Sequence, residues 1–346
     1  MDQITIRRPD DWHLHLRDGD VLRHVLPFTA RRFARAIVMP NLVPPVTTVD
    51  QALAYRRRIL EALPPGTAFE PLMTLYLTDR TTAETIAAAA AEESVHAVKL
   101  YPAGATTNSD AGVTDIAHCD QALAAMEELD LPLLVHGETV GDDVDMFDRE
   151  HRFIDERLLP LMDRHPGLRI VFEHITTARA AEFIASGPQR LAATITPQHL
   201  LFNRNHMLAG GIRPHYYCLP ILKRERDREA LLEAATSGHP RFFLGTDSAP
   251  HSRADKENAC GCAGCFSACA AIELYAEVFA AAGRLDRLEG FASLHGPAFY
   301  HLPVNQDSIT LTRSGWCLPD ALPLGDGQSI VPLGAGRTLH WQLHTH

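Results

Sequence analysis

Eight short apolar runs, rich in β-forming residues, recur along the chain at a mean spacing of roughly 33 residues. They occupy residues 11–16, 36–39, 71–77, 97–101, 131–136, 169–174, 192–196 and 241–246. About 30 residues is the length of one strand plus one crossover helix. The segments between the runs, among them 81–93, 115–129, 151–163 and 224–235, are Ala-rich or amphipathic at helical spacing. The chain is therefore predicted to alternate strands with helices.

This alternation predicts an α/β fold, a TIM (β/α)8 barrel, because nearly continuous apolar strands indicate a parallel sheet covered by helices. An open doubly wound sheet is the alternative. No G-x-G-x-x-G follows the first run, which counts against a dinucleotide-binding sheet. Residues 305–346 contain many Gly and Pro residues, and we expect a short, irregular C-terminal extension with short strands packed on the barrel. The prediction is one domain over residues 1–346.

The net charge limits the kinds of molecule that the chain is expected to bind. The chain has 32 Lys and Arg residues against 43 Asp and Glu residues, for a net charge of -11. This acidic balance argues against binding to nucleic acid or to an anionic membrane, and favours a small-molecule partner. No secretory apolar core follows the N-terminal residues, and no run approaches 18 apolar residues. We expect a soluble cytoplasmic protein.

Four of the seven cysteines cluster at Cys260, Cys262, Cys265 and Cys269. Their spacing matches neither the paired C-x2-C pattern of zinc ribbons nor the ferredoxin run. Small residues between them indicate a tight loop that leads into a helix. Reduced thiols in this loop are the favoured interpretation, with a zinc or iron–sulfur site as the alternative.

Polar residues follow several of the predicted strands, where the chemistry of (β/α)8 barrels is located. His13 and His15 are two positions apart on the first strand, so both side chains face the same way. His136, His174 and Asp247 end later strands and converge on the same mouth. Histidine with aspartate suits zinc or a similar divalent ion, so this end of the barrel is predicted to bind metal.

Lys99 lies inside a predicted buried strand, where an ammonium group is costly. In the simplest interpretation it snorkels from the strand end or pairs with a carboxylate. The alternatives are a Schiff-base lysine of depressed pKa and a lysine carboxylated by CO2. Four histidines and one aspartate are more ligands than one catalytic zinc needs. A carbamate on Lys99 that bridges two zinc ions would use all of them.

Five motifs make the chain recognisable: D-W-H-L-H-L-R at 11–17, M-P-N-L at 39–42, K-L-Y-P-A-G-A-T-T-N at 99–108, G-T-D-S-A-P-H at 245–251 and C-G-C-A-G-C-F at 260–266. They span most of the predicted barrel in order. With His on the first, fifth and sixth strands, Lys on the fourth and Asp on the eighth, the chain resembles the binuclear amidohydrolase superfamily. Within it, the chain is most similar to the short class of dihydroorotases.

The resemblance implies two zinc ions per chain and a modified lysine. His13, His15 and Asp247 would bind one ion, and His136 and His174 the other. Lys99, as N6-carboxylysine, and a hydroxide would bridge the pair.

The resemblance also implies a substrate site in which Arg17, Asn41 and His251 bind a carboxylate. Ala263 and Leu219 would contact the substrate through their backbones. A protonated His251 would add positive charge. Thr106 and Thr107 would form the tip of a mobile loop. The implied substrate contacts are His15, Arg17, Asn41, Thr106, Thr107, His136, Leu219, His251 and Ala263.

The implied reaction is the reversible, zinc-dependent cyclisation of N-carbamoyl-L-aspartate to L-dihydroorotate and water, in pyrimidine (UMP) biosynthesis. In the hydrolytic direction the bridging hydroxide attacks the amide carbon, and Asp247 acts as the general acid/base. The resemblance also implies a homodimer. The small residues of the cysteine loop would let its backbone approach the substrate, so no metal is needed there.

Three rival functions stay open at this point. Dihydropyrimidinases and allantoinases usually carry a β-sandwich built partly ahead of the barrel, whereas only 12 residues precede His13 here. Arg17 and Asn41 also favour a substrate with a free carboxylate. A Schiff-base aldolase would use Lys99 without four histidines, and a non-enzymatic relative would be expected to lack ligands.

Four further residues are of interest because they adjoin the predicted site. Glu138 and Glu173 neighbour predicted ligands and could support them. His199 and His215, near the seventh strand, could approach the site. The remaining histidines outside the motifs have simpler interpretations as surface or core residues.

Overall fold

The computed structural model describes residues 2–344, so the last two residues of the predicted C-terminal extension lie outside the described range. The chain opens with a short strand, β1 (Gln3–Arg7). Each of the eight apolar runs then overlaps one strand. These strands are β2 (Asp10–Leu14), β3 (Arg35–Val38), β4 (Glu70–Tyr76), β5 (Val95–Leu100), β6 (Leu133–Val135), β7 (Ile170–Phe172), β8 (Leu191–Ile195) and β9 (Phe242–Leu244).

Strands β2 to β9 form one parallel sheet in chain order. Its first and last strands meet through a bridge between Leu14 and Ser248. The N–H of His15 donates to the Ser248 carbonyl (3.1 Å), and the N–H of Asp247 donates to the His13 carbonyl (2.9 Å). These contacts close the sheet into the predicted (β/α)8 barrel and exclude the open doubly wound alternative.

Helices surround the sheet, and each of the four predicted helical segments contains one or more of them. Threonine side chains cap several N-termini, among them Thr48, Thr82 and Thr177, each accepting from a backbone N–H of the first turn. Short π-helical turns, Ile154–Leu158 and Gly290–Leu294, join neighbouring helices. The helices are α1 (Gly19–Arg32), α2 (Val49–Glu61), α3 (Ala83–Ala91), α4 (Asp120–Glu128), α5 (Arg149–Phe153), α6 (Leu159–Arg164), α7 (Ala178–Ser186), α8 (Pro197–Leu201), α9 (Arg204–Leu208), α10 (Glu225–Thr236), α11 (Arg253–Lys256), α12 (Ala271–Ala281) and α13 (His295–Tyr300).

Large apolar side chains fill the interior of the barrel. Trp12 stacks on Tyr300 of α13, with ring centroids 4.4 Å apart, and Phe243 packs edge-on against Trp12. With Trp12 and Phe243, the same cluster contains one buried residue from every barrel strand and Met39 just after β3; the other members are Ile37, Leu72, Ala97, Leu134, Val171 and Ala192. The interior is therefore a packed core, and polar chemistry is confined to the carboxyl ends of the strands.

The C-terminal segment is more regular than predicted. It forms β10 (Ser308–Cys317), β11 (Leu322–Gly325), β12 (Gln328–Ile330) and β13 (Thr338–Leu343), and β10 pairs antiparallel with both β1 and β13. Neither β1 nor the ten-residue length of β10 was predicted, because pairing between the two ends of the chain leaves no local pattern. Leu311 and Trp341 pack in the same core cluster as the barrel, while the one-domain assignment stays a prediction.

A helix that crosses a membrane must be long and predominantly apolar. Within residues 2–344, no helix combines the length and the hydropathy needed to cross a membrane.

Candidate active site

The polar residues predicted from the sequence gather at the carboxyl ends of the barrel strands. Lys99 and His251 contact the walls of a cavity there: Lys99 Nζ lies 4.8 Å from the centre of the Tyr101 ring, and His251 contacts Arg17. All of the predicted site residues therefore line this cavity or contact a residue that lines it. The residues that line the cavity are His13, His15, Arg17, Asn41, Tyr101, Thr106, Thr107, His136, His174, Leu219, Asp247, Ala249, Ala263 and Gly264.

An irregularity in β2 brings His13 to this cavity. Trp12 faces the packed interior, so strict alternation would turn the neighbouring His13 away from it. The register between β2 and β3 shifts between Asp11 and Leu14, and such a bulge redirects side chains. The Asp11 carboxylate then accepts from the N–H of His13 (3.2 Å) and of Thr246 (2.9 Å). Burial raises the pKa of Asp11 to about 7, although these hydrogen bonds oppose the shift.

Three ligand atoms form a compact triangle. His13 Nε2 lies 3.3 Å from His15 Nε2, and Asp247 Oδ1 lies 3.4 Å and 3.2 Å from these two nitrogens. In a tetrahedral zinc site with bonds of about 2.0–2.1 Å, ligand atoms are roughly 3.3 Å apart. The Nδ1–H of His15 donates to Asn41 Oδ1 (2.9 Å), which leaves Nε2 free to bind a cation. These residues fit one divalent cation.

A second set of potential ligands adjoins the first. It consists of His13, Glu173 and His174, all buried. His13 Nδ1 lies 3.0 Å from Glu173 Oε1, and the His136 ring lies 4.8 Å from the His174 ring. Burial, together with the neighbouring His136 and His13, lowers the pKa of His174 well below its ordinary value, so this imidazole is neutral. Of the two histidines predicted for the second site, His174 joins this group of ligand atoms, and His136 lies beside it without joining the group.

Lys99 is completely buried on β5 and forms an ion pair with Glu173. Burial lowers the pKa of the Lys99 ammonium, and the Glu173 carboxylate opposes that shift. Burial also acts on Glu173, but His13 and Lys99 outweigh it and lower the pKa of that carboxyl. Of the alternatives for this lysine, the carboxylate-paired one is present in the structure.

Three residues of the site have a left-handed backbone that non-glycine residues rarely adopt. Their φ values are 58° at Arg17, 40° at His174 and 44° at Asp247. Alternation from the interior residue Val171 points Glu173 into the barrel, and the unusual turn at the next residue brings His174 to the cavity as well. Such strain is held only where the surrounding structure determines it, and it clusters at functional sites.

The guanidinium of Arg17 lies at one side of the cavity. Its Nη2 donates to His251 Nε2 (3.0 Å), and its Nε donates to the Pro250 carbonyl (3.3 Å). Burial and the neighbouring Arg17 lower the pKa of His251 to about 2, so this imidazole is neutral. The positive charge that a protonated His251 would add is therefore absent at neutral pH, and Arg17 supplies the local charge.

The loop that carries Thr106 and Thr107 lies closed over the cavity. Thr107 Oγ1 donates to the Ala263 carbonyl (3.3 Å), and Asn41 Nδ2 donates to the Thr107 carbonyl (3.1 Å). The remaining cavity has a volume of about 20 Å³, enough for about one water molecule. A ring-shaped ligand can enter only if this loop moves.

Tyr101 is a site residue that the sequence analysis missed. It lines the cavity, and its buried hydroxyl has no hydrogen-bond partner within the described residues. It lies two positions after Lys99, directly past the end of β5, so alternation along the predicted strand was the signal that could have found it. Glu138, considered as a supporting residue, accepts from His136 Nε2 (2.8 Å).

The histidines and cysteines outside the motif ligands lie elsewhere. His199 Nε2 donates to the Pro220 carbonyl (3.0 Å), and His215 pairs with Glu257 (2.8 Å), so neither lines the cavity. Cys260 is exposed and Cys265 is buried. In the part of the chain that the structure describes, the four clustered cysteines do not join any group of potential metal ligands.

Comparison with known proteins places this fold and site in a family. Residues 10–310 match the amidohydrolase family, so the chain belongs to that family of hydrolases. It is 66% identical to a dihydroorotase of Alkalilimnicola ehrlichii over 343 residues, covering 99% of this chain and 100% of that protein. Within the amidohydrolases, the chain thus belongs to the dihydroorotases, which are cyclic amide hydrolases.

Two solved structures agree with this assignment. The dihydroorotase of Campylobacter jejuni is 37% identical, with a TM-score of 0.91 over 99% of this chain and 98% of that one. The dihydroorotase of Saccharomyces cerevisiae, solved in complex with 5-fluoroorotic acid, is 34% identical, with a TM-score of 0.91 over 99% of both chains. A Schiff-base aldolase and a non-enzymatic protein are thereby disfavoured.

Proposed function

We propose that this protein is a zinc-dependent dihydroorotase that interconverts N-carbamoyl-L-aspartate with L-dihydroorotate and water, in pyrimidine biosynthesis. The observation that carries the proposal is the triangle of His13, His15 and Asp247 ligand atoms, which lies in the same cavity as Arg17. The triangle suits a divalent cation, and the guanidinium suits a carboxylate. Both substrates carry a carboxylate that the reaction leaves unchanged.

Two cations are proposed, held by six residues at five strand ends. His13, His15 and Asp247 would hold one, His136 and His174 the other, and Lys99 would bridge them once CO2 has carboxylated its amine. The bridge requires Lys99 to leave its ion pair with Glu173, because only the neutral amine adds CO2. When bound, such cations lower the pKa of a water molecule and polarise a carbonyl oxygen.

The proposed orientation of the substrate follows from the charge and the hydrogen-bonding groups of the cavity. Arg17 and Asn41 would bind the substrate carboxylate, with His251 as a neutral partner and the backbone of Ala263 as a further contact. The backbone of Leu219 would contact the ring. His15 and His136 would also touch the substrate from the cavity wall. The complex of the yeast relative with 5-fluoroorotic acid supports a pyrimidine carboxylate as the ligand.

Asp247 is proposed to carry the proton between water and the leaving nitrogen. Burial raises the pKa of its carboxyl, but His13 and His15 outweigh this and lower the pKa to about 2, so the group is ionised at neutral pH. In the hydrolytic direction, water attacks the ring amide carbon while Asp247 accepts a proton from that water. Asp247 then gives the proton to the ring nitrogen as the carbon–nitrogen bond breaks. Cyclisation is the reverse sequence.

The proposal is tested by assaying cyclisation of N-carbamoyl-L-aspartate together with zinc content per chain. Asp247→Asn should lower kcat by about 10²–10⁴-fold, the usual contribution of a general acid/base. Asp286→Asn, on the protein surface, is the matched control and should leave kcat unchanged. A wild-type protein with two zinc ions and no turnover would redirect the assignment to another cyclic amide, such as dihydrouracil.

The homodimer and the cytoplasmic location belong to the same proposal. The homodimer is implied by the resemblance to this family, and the cytoplasmic location is expected from the sequence pattern. Light scattering of the purified protein should give twice the 38.2 kDa chain mass. A monomer at micromolar concentration would contradict the dimer, and cell fractionation tests the location.

A further inference from the structure

Lysine is rare in this chain and occurs only at buried positions. Of the 32 Lys and Arg residues, only Lys99, Lys223 and Lys256 are lysine. All three are buried, with at most 3% of the residue exposed. Lysine differs from arginine in offering a compact charge with three donors instead of a planar fork. Lys99 belongs to the candidate active site. Of the other two lysines, Lys256 has the more complete set of contacts.

Lys256, at the end of α11, uses all three ammonium donors on backbone carbonyls. Its Nζ donates to Tyr217 (2.7 Å), Cys262 (2.8 Å) and Gly264 (2.7 Å). Within residues 2–344 no carboxylate forms an ion pair with this ammonium. The cation is therefore held by the oxygens of two separate loops, not by a counter-charge.

These two loops are the ones that line the substrate side of the cavity. Tyr217 is two residues before Leu219, while Cys262 and Gly264 flank Ala263 on either side. The N–H of Gly264 also donates to the Tyr217 carbonyl (3.0 Å), so the loops touch directly. A Cβ at Gly264 would lie 2.9 Å from the Ala249 carbonyl oxygen, which shows how closely this backbone is packed.

We propose that Lys256 is a positioning residue for substrate binding, which holds the backbones of Leu219 and Ala263 in place together. This inference rests on the proposed function, because it assumes that those two backbones contact the substrate. Without the ammonium, three carbonyl oxygens would face one another, and their repulsion would separate the loops. Hydrogen bonds from a charged donor are stronger than neutral ones, so the effect is large.

Removal of the Lys256 ammonium is expected to weaken substrate binding rather than to slow the chemical step. Asp247 is held by a different set of contacts, since its N–H donates to the His13 carbonyl and Asp11 joins β2 to Thr246. Loss of uniform binding raises KM and leaves kcat almost unchanged. This split separates a positioning residue from one that only maintains the fold.

The test is the Lys256→Met variant, which keeps the length of the side chain and removes its charge. We expect KM for both substrates to rise about tenfold or more, kcat to change less than about threefold, and zinc content to stay at the wild-type level. Hydrogen exchange of the zinc-loaded protein should speed up in peptides that cover residues 215–222 and 258–266. Lys256→Arg, which keeps the charge but not the geometry, should give an intermediate KM.

Arg241→Met is the matched control. Arg241 also donates to three backbone carbonyls, those of Ala185, Gly187 and Pro188, beside the start of β9 and away from the cavity. We expect this variant to lose stability and to keep the wild-type KM. An equal rise of KM in both variants would overturn the inference.

Other results of these experiments would overturn either the role of Lys256 or the proposed function. A wild-type KM in Lys256→Met, or unchanged exchange in both peptides, would overturn the inference while the dihydroorotase assignment stands. A wild type without turnover would instead contradict the proposed function. If Lys256→Met does not fold, Lys256→Gln, which keeps two donors, is judged by the same KM and exchange criteria.

Discussion

At the scale of single residues, burial keeps the imidazoles of His15, His174 and His251 neutral. Burial lowers the pKa of His15 to about 4 even though Asp247 opposes the shift, and it lowers that of His251 to about 2. Neutral imidazole is the form that binds metal or accepts a hydrogen bond. The charge of the site is therefore carried by Asp247, by Glu173 with Lys99, and by Arg17.

Lys99→Ala should remove the proposed bridge between the two cations. We expect loss of at least one zinc ion per chain and a fall in kcat of about 10²-fold or more, with partial rescue of both by a short carboxylic acid. Elemental analysis and the cyclisation assay measure these changes. Lys223→Ala, at a buried lysine outside the cavity, should keep its zinc. Full zinc content and activity in Lys99→Ala would contradict the bridge.

His199 should make stability depend on pH. Burial, opposed by its bond to the Pro220 carbonyl, lowers its pKa from 6.5 to about 4. The unfolded chain therefore binds the proton more tightly, and the stability that neutral His199 contributes is present above pH 6.5 and is lost as the pH falls toward 4. For one such group the loss is at most about 3 kcal/mol.

Chemical unfolding of the metal-free protein between pH 7 and pH 4 measures the contribution of His199 to the free energy of unfolding. A chelator is used because metal binding itself depends on pH and would add a separate effect. The His199→Gln variant should show a smaller fall in the free energy of unfolding than the wild type. Parallel pH curves for the two proteins would contradict the assignment.

At the scale of elements, the site is built from strand ends and the loops that follow them. The bulge in β2 and the left-handed turns at His174 and Asp247 aim side chains that regular strands would direct elsewhere. The loop with Thr106 and Thr107 is held by side-chain contacts to Asn41 and Ala263, so it can open without breaking the barrel.

Replacing both threonines of this loop, Thr106→Ala with Thr107→Ala, should weaken its closure over the substrate. We expect kcat to fall about tenfold or more because the closed loop excludes water and orients the substrate. Zinc content should not change, since neither threonine is among the proposed ligands. Thr338→Ala on β13, an exposed threonine, is the control for the assay. Loss of zinc in the double variant would contradict the role of the loop.

At the scale of the whole molecule, the small sheet of β1, β10 and β13 ties the two ends of the chain to the barrel. Trp341 of β13 is 4% exposed and belongs to the main core, and Trp316 Nε1 donates to its carbonyl (2.8 Å). The C-terminal segment is thus positioned to unfold together with the barrel, in accord with the prediction of one domain.

Trp341→Ala should destabilise the whole protein by about 3–5 kcal/mol, the usual cost of removing a buried aromatic side chain. Denaturant unfolding followed by circular dichroism and fluorescence should give one transition at a lower midpoint in both signals. Ile212→Ala, at a residue that is 81% exposed, should shift the midpoint very little. Separate transitions for the tail and the barrel would contradict the one-domain prediction.

Much of the fold and of the site could be predicted because local sequence patterns indicate it. The eight apolar runs at regular spacing predicted the barrel, and each polar residue at a strand end predicted a member of the site. His13, His136 and Asp247 were found in this way, since strands of a parallel barrel end on the same side. Tyr101 was within reach of the same reasoning, two positions from Lys99.

The sequence by itself determined the barrel, the set of candidate ligands and the family. Only the tertiary structure decided that Glu173 pairs with Lys99, that His251 is neutral beside Arg17, and that β1 joins β10. It also brought Lys256 to the junction of two loops. The physical reason is the same in each case: these contacts join residues far apart in the chain, and burial, which sets their charge and strength, exists only after folding.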